Sequence, residues 1–320
     1  MKKLPRLRYA PRWVSHLGCL IGTLDYLGLG VSDAWLYGAT GHAFILNMHP
    51  MVCSSGPTAW RSTMLFELGR NIGYIVDSVV GHRSQDDFPQ LKERAWQHVR
   101  QSIDAGLPCY AWELDLAEYY LIYGYDDVGY CFSGPSQDGS KGPKPWQDVG
   151  ETDIGLVEVH SVYPGQAADD AHAVQAALAA ALKHASGTAE WIFPEYQSGL
   201  AGYDLWIRAL QDGRAAALGM AYNAAVWAEC RGYAVEFLQQ AGERLPAHRA
   251  LFQEAAKSYA AVARQLAEVS ERYPFSFDLG MEPAPMDDDS RAALQALQAA
   301  RQAEGTGLEV LAEIVHTLSE

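Results

Sequence analysis

Basic residues are scarce: 24 Lys and Arg against 39 Asp and Glu leave a net charge of −15 over 320 residues. An acidic surface of that kind repels phosphate, so neither nucleic acid nor anionic lipid is an expected partner. Long apolar runs are missing too. Every stretch is broken by Gly or charge well short of the ~18 residues a membrane span needs. The basic cluster Lys2, Lys3, Arg6, Arg8 and Arg12 is interrupted by Pro5 and Pro11 and leads into no apolar run, so it does not read as a secretory leader. Cysteines are few and odd in number (Cys19, Cys53, Cys109, Cys131 and Cys230), mostly in apolar surroundings and with no zinc-ligand spacing. They are expected to be reduced, buried thiols of a cytoplasmic protein that carries no metal and no cofactor.

What is present suffices for one large or two ordinary domains, with hydrophobic residues at 49%. The character changes near Pro164. Before it, short aromatic and β-branched runs predict strands over 42–48, 72–80, 108–114, 118–124, 129–134 and 154–162, with helices over 16–28, 58–71 and 87–105. Strands cluster after residue 108 without βαβ alternation, which predicts an α+β domain with an antiparallel sheet over 1–162. Residues 163–320 are Ala-rich and predict an all-α domain, with helices over 167–185, 200–211, 214–243, 246–272, 289–303 and 307–318. Gly213, Gly242 and Gly305 sit at the breaks. The helix over 214–243 is apolar on more than one face and suits the centre of a bundle; the Ala-rich helices also suit a homodimer. The polar, Gly/Pro-rich stretch 133–150 is either a flap or a plain hairpin connection.

The segment SHLGCLIGTLDYLG (15–28) resembles the opening of the bacteriocin-processing branch of the papain-like cysteine peptidases, which runs Cys-Gly-Pro-Ala-Cys-Leu and ends in Tyr-x-Gly. Alignment on Tyr26 and Gly28 puts Ser15 at the nucleophile position and Cys19 on the second, structural cysteine. The segment EYYLIYGYDD (118–127) resembles the superfamily's strand that opens with the catalytic histidine, and Glu118 stands at the histidine position. The third catalytic position falls near Gly134. A broader likeness, carried by DYLGLGVSDAWLYGATGHAFILN (25–47) and by GYDLWIRAL and RGYAVEFLQQA further on, is to the butirosin-biosynthesis acyltransferase family and extends loosely over 1–275. That resemblance implies a papain-like α+β domain followed by helices, and acyl transfer through a cysteine thioester. The catalytic Cys and His positions of that pattern are not retained.

The candidate catalytic residues are therefore Ser15, Glu118 and His42, the last as a spatial replacement for the lost imidazole. Candidate ligand contacts are His16, Cys19, Gly41, Glu113, Asp115 and Tyr119. Like charges at Glu113, Asp115 and Glu118 would raise one pKa and supply a base or proton donor. Bland alternatives stand beside each: Ser15 as a helix N-cap, Cys19 as a small buried hydrophobe, the acids as a solvated strand end, His42 as a structural histidine. Two functions are expected to compete. One is a degenerate papain-like protein binding a small acyl, peptide or amine ligand, free or acyl-carrier-linked, between the Ser15 helix start and the Glu118 strand. The other is an acyltransferase or amide hydrolase using Ser15 and Glu118 or His42. A purely structural partner-binding module would instead show an exposed apolar patch.

Overall fold

The computed structural model describes residues 1–135 and 141–319. In chain order its elements begin with β1 (Lys2–Lys3), α1 (Ser15–Leu27), α2 (Asp33–Ala39), β2 (Asn47–Met48), α3 (Thr63–Gly69), β3 (Tyr74–His82) and α4 (Phe88–Asp104). Strands β4 (Cys109–Trp112), β5 (Tyr119–Tyr125), β6 (Gly129–Ser133), β7 (Lys141–Pro145) and β8 (Leu156–Pro164) follow. The remainder is α5 (Asp170–Ala185), β9 (Gln197–Ser198), α6 (Gly199–Gln211), α7 (Ala217–Arg244), α8 (Arg249–Arg272) and α9 (Asp288–Thr317). The chain forms two compact units, Met1–Val31 with Gly73–Ala167, and Ser32–Ile72 with Ala168–Glu320. A single cut near residue 162 is expected from the sequence; instead residues 32–72 fold with the helices.

The first unit is an antiparallel sheet in the order β3-β8-β4-β5-β6-β7, with β1 pairing β5. Both faces of β8 are buried, and consecutive residues show what covers each. Ser161 hydrogen-bonds His98 of α4 at 2.8 Å, while the ring of His160 lies 5.9 Å from that of His16 on α1. Helix α4 is amphipathic: Phe88, Leu91, Ala95, Trp96, Val99 and Ile103 form its buried stripe. Helix α1 is buried along Ser15–Leu24. It can lie that deep because Gly18 and Gly22 let the 8–10 segment cross in backbone contact, with Ala10 N–H donating to Gly18 O at 3.3 Å.

The second unit is helical, as the Ala-rich pattern predicts, with α7, α8 and α9 packed together. Tyr203, Trp206 and Trp227 lie in its core. Residues 42–48, expected as a strand, instead make a 3-10 turn over His42–Phe44 and the two-residue β2, which pairs with β9. The reason is a buried cation: Arg231 of α7 donates to the carbonyls of Ala43 and Ile45 at 2.9 and 2.8 Å, taking backbone acceptors a longer ladder would need. Arg231 is paired in turn with Glu304 of α9 at 2.8 Å. The helix expected over 58–71 shortens to α3, and α2 is an added helix, capped by Ser32 accepting from Trp35 N–H at 3.2 Å. The two helices expected over 289–318 are one, α9, running through Gly305 and Gly307. Of the stretch 133–150, residues 136–140 lie outside the described residues, so the choice between flap and hairpin does too; β7 occupies part of the rest.

Candidate functional site

Ser15 is the first residue of α1, not its cap. Val14 holds the cap position, and no side chain caps the helix. The Ser15 hydroxyl donates to Glu118 Oε2, and its oxygen accepts the Tyr119 N–H at 3.0 Å. Ser15 is only 2% exposed, whereas Glu118, the residue before β5, is half-buried. The structure thus brings together the two residues placed at the nucleophile and histidine positions.

The loop joining β4 to β5 fixes this geometry. Strand β4 ends at Trp112, so Glu113 and Asp115 do not share a strand face as the sequence pattern predicts. Glu113 turns back instead: it is buried with φ 57°, its N–H donates to Glu118 O at 2.8 Å, and its carboxylate accepts the Thr152 hydroxyl at 2.8 Å. A non-glycine residue in the left-handed region costs on the order of 1–3 kcal/mol, a strain that surrounding contacts must hold. Asp115 is exposed at the tip.

Cys19 is buried one turn into α1, and burial, reinforced by the negative charge of Glu118, pushes its thiol well above the ordinary range. A neutral, enclosed thiol is no nucleophile. The His16 ring packs 4.0 Å from that of Tyr119, and His16 Nε2 bonds the Tyr110 hydroxyl at 2.9 Å. The Tyr119 hydroxyl donates to Glu158 Oε2 at 3.1 Å, and Glu158 Oε1 lies 3.0 Å from His160 Nε2.

Glu158 and His160 are missed by sequence reasoning. Their signal was available: an acid and a histidine two residues apart, inside an otherwise apolar strand, must share a buried face.

His42 has the surroundings of a core residue of the second unit. Its Nδ1 lies 3.6 Å from Cys230 Sγ, its ring 5.5 Å from that of Trp60, and burial lowers its pKa to about 3. It is a neutral structural histidine, not a stand-in for a catalytic imidazole. Gly41 supplies the left-handed φ of 74° that starts the His42–Phe44 turn; a side chain there would meet Ala177 O at 3.5 Å.

Among the described residues, no group of three or more His, Cys, Asp or Glu could hold a metal ion. No described helix is long and apolar enough to cross a membrane. No protein-family model matches the chain, and no curated protein matches it.

Proposed function

We propose that the first unit is a degenerate papain-like domain that binds a small amine-bearing acyl or peptide ligand at Glu118 without turning it over. The observation that carries this reading is the state of Ser15: enclosed, its O–H donating a hydrogen bond to Glu118 and its oxygen accepting the Tyr119 N–H. A hydroxyl committed in that way orients a carboxylate; it does not present itself to a carbonyl carbon. The start of α1 against the start of β5 supports the papain-like assignment, because the resemblance puts nucleophile and histidine at those two places. Replacing the histidine by glutamate turns a base site into a fixed anion. A half-buried, pre-oriented carboxylate favours an ammonium through a charge-assisted hydrogen bond and orders few side chains on binding.

The test is a thermal-shift screen of primary amines and amino-acid amides, each paired with its N-acetyl form. A ligand at 100 times its Kd stabilises by about 2.7 kcal/mol, which a melt resolves readily. Amines are expected to raise Tm for the wild type, with acetylated partners silent and Glu118→Gln unresponsive. Equal shifts from amines and their acetylated forms would contradict the reading.

The Ser15–Glu118 hydrogen bond also favours a second reading: an acyltransferase or amide hydrolase with Ser15 as nucleophile and Glu118 as base. An acyl adduct mapped to Ser15 after incubation with an acyl thioester would select it.

A further inference from the structure

A second serine of the first unit is placed for chemistry that Ser15 is not. Ser78 on β3 and His160 on β8 are direct cross-strand partners, and Glu158 lies two residues from His160 on the same face. Ser78 Oγ is 2.7 Å from His160 Nδ1, and His160 Nε2 is 3.0 Å from Glu158 Oε1. One tautomer satisfies both bonds: Nε2–H donates to Glu158, leaving Nδ1 to accept the Ser78 proton. The second oxygen of Glu158 accepts the Tyr119 hydroxyl, so the carboxylate is fixed from two sides. His160 is fully buried and Glu158 nearly so, while Ser78 is exposed. The base and its orienting acid are thus enclosed, while the residue that carries the hydroxyl lies at the surface.

From this geometry we infer that Ser78, His160 and Glu158 form a nucleophile–base–acid triad that cleaves small carboxylic esters or thioesters. The backbone adds a donor. Val162 N–H donates to Pro108 O, so His160, two residues earlier, also turns its backbone groups toward β4. Ser78 opposite it therefore turns its own N–H toward the open edge, since β3 ends the sheet among the described residues. His82, four residues on, shows the same parity: its N–H goes to the Gln85 side chain at 2.8 Å. Val76 and Val80 flank Ser78 on its face, and Val80 is 52% exposed, giving an apolar wall for a short acyl chain.

In the reaction, Ser78 Oγ bonds to the acyl carbon as its proton passes to His160 Nδ1, and the carbonyl electrons move onto oxygen. Collapse breaks the bond to the alkoxide or thiolate, which leaves with the proton from His160. Water then attacks the acyl-serine by the same route, releasing the carboxylic acid and restoring Ser78. Glu158 and Tyr119 are positioning residues.

The full chain is treated with a fluorophosphonate probe, the adduct is mapped by peptide mass spectrometry, and p-nitrophenyl acetate hydrolysis is followed against pH. The adduct is expected on the peptide containing Ser78. Ser78→Ala should lose both label and hydrolysis with an unchanged circular dichroism spectrum, and its Tm should fall only modestly, because the buried His160 Nδ1 loses its partner while the fold is kept. Glu158→Gln should slow labelling at least about 10-fold and move the midpoint of its pH profile. An unlabelled folded protein, an adduct on Ser15 instead, or a labelling rate unchanged by Ser78→Ala would overturn the inference.

Discussion

Thr152 and Cys53 are the single residues where the account is most exposed to test. The Thr152 hydroxyl is the donor that satisfies the buried Glu113 carboxylate, whose left-handed backbone shapes the loop before Glu118. Thr152→Val removes that donor with little change in shape and leaves an unsatisfied buried acceptor, worth about 1–3 kcal/mol. Urea unfolding should show that loss, and an unchanged midpoint would mean the bond does not hold the loop. Of the five thiols, four are buried and Cys53 alone is half-exposed. Burial lifts Cys19 well above its ordinary range and Cys109 to about 12. Native protein is therefore expected to react with one equivalent of Ellman's reagent at neutral pH, and Cys53→Ser to react with none. Rapid modification of Cys19 would contradict the dismissal of cysteine chemistry. At this scale the sequence was legible where a motif set the position. Ser15 opposite Glu118 follows from aligning two short segments. Glu158, His160 and the Glu113 turn did not follow, because their partners Tyr119, Ser78 and Thr152 lie tens of residues away.

Element types proved more readable than element limits, and α9 shows why. Glycine in a helix has two meanings, a weak point or a close contact, and sequence alone does not separate them. A Cβ on Gly305 would meet only Leu200 at 3.8 Å, whereas one on Gly307 would stand 2.8 Å from the Tyr259 ring. Gly305→Ala is thus expected to stabilise by up to about 1 kcal/mol through helix propensity. Gly307→Ala, two residues on in the same helix, should destabilise by about 1–3 kcal/mol through overpacking. Opposite signs in thermal melts are the expected result; a break in α9 near Gly305 would give neither. The amphipathic α4 is plain in the sequence because its burial follows a 3.6-residue period, and α7 is plain because it is apolar on more than one face over a long run. The apolar run of the 42–48 segment reads as a strand, and sequence alone holds no signal of the turn that replaces it. What bends it is Arg231, nearly 190 residues away, and the left-handed Gly41.

For the whole molecule, acid sensitivity should come from the core of the helical unit. His42 and His184 are fully buried, and burial lowers their pKa values to about 3 and about 4. His184 is further held neutral by accepting the Trp191 indole N–H at 3.2 Å on Nδ1. The unfolded chain, with histidine near 6.5, binds protons that the folded chain refuses, so stability rises with pH across this window. It is complete above about pH 6.5 and is lost progressively on acidification, by about 2 kcal/mol per histidine at pH 5. Urea midpoints measured from pH 7 to pH 5 should fall accordingly, and a flat profile would mean that either imidazole is protonated in the fold. In the proposed function a different pair matters, Ser15 orienting Glu118. A double-mutant cycle measures that most directly, by calorimetric titration of an amine hit from the thermal screen into wild type, Ser15→Ala, Glu118→Gln and the double variant. If Ser15 acts only by orienting the carboxylate, Ser15→Ala weakens binding in the wild-type background and adds nothing in Glu118→Gln, a coupling of about 1 kcal/mol or more. Amine affinity untouched by Ser15→Ala, together with an acyl adduct that vanishes in that variant, would contradict the account and make Ser15 a nucleophile.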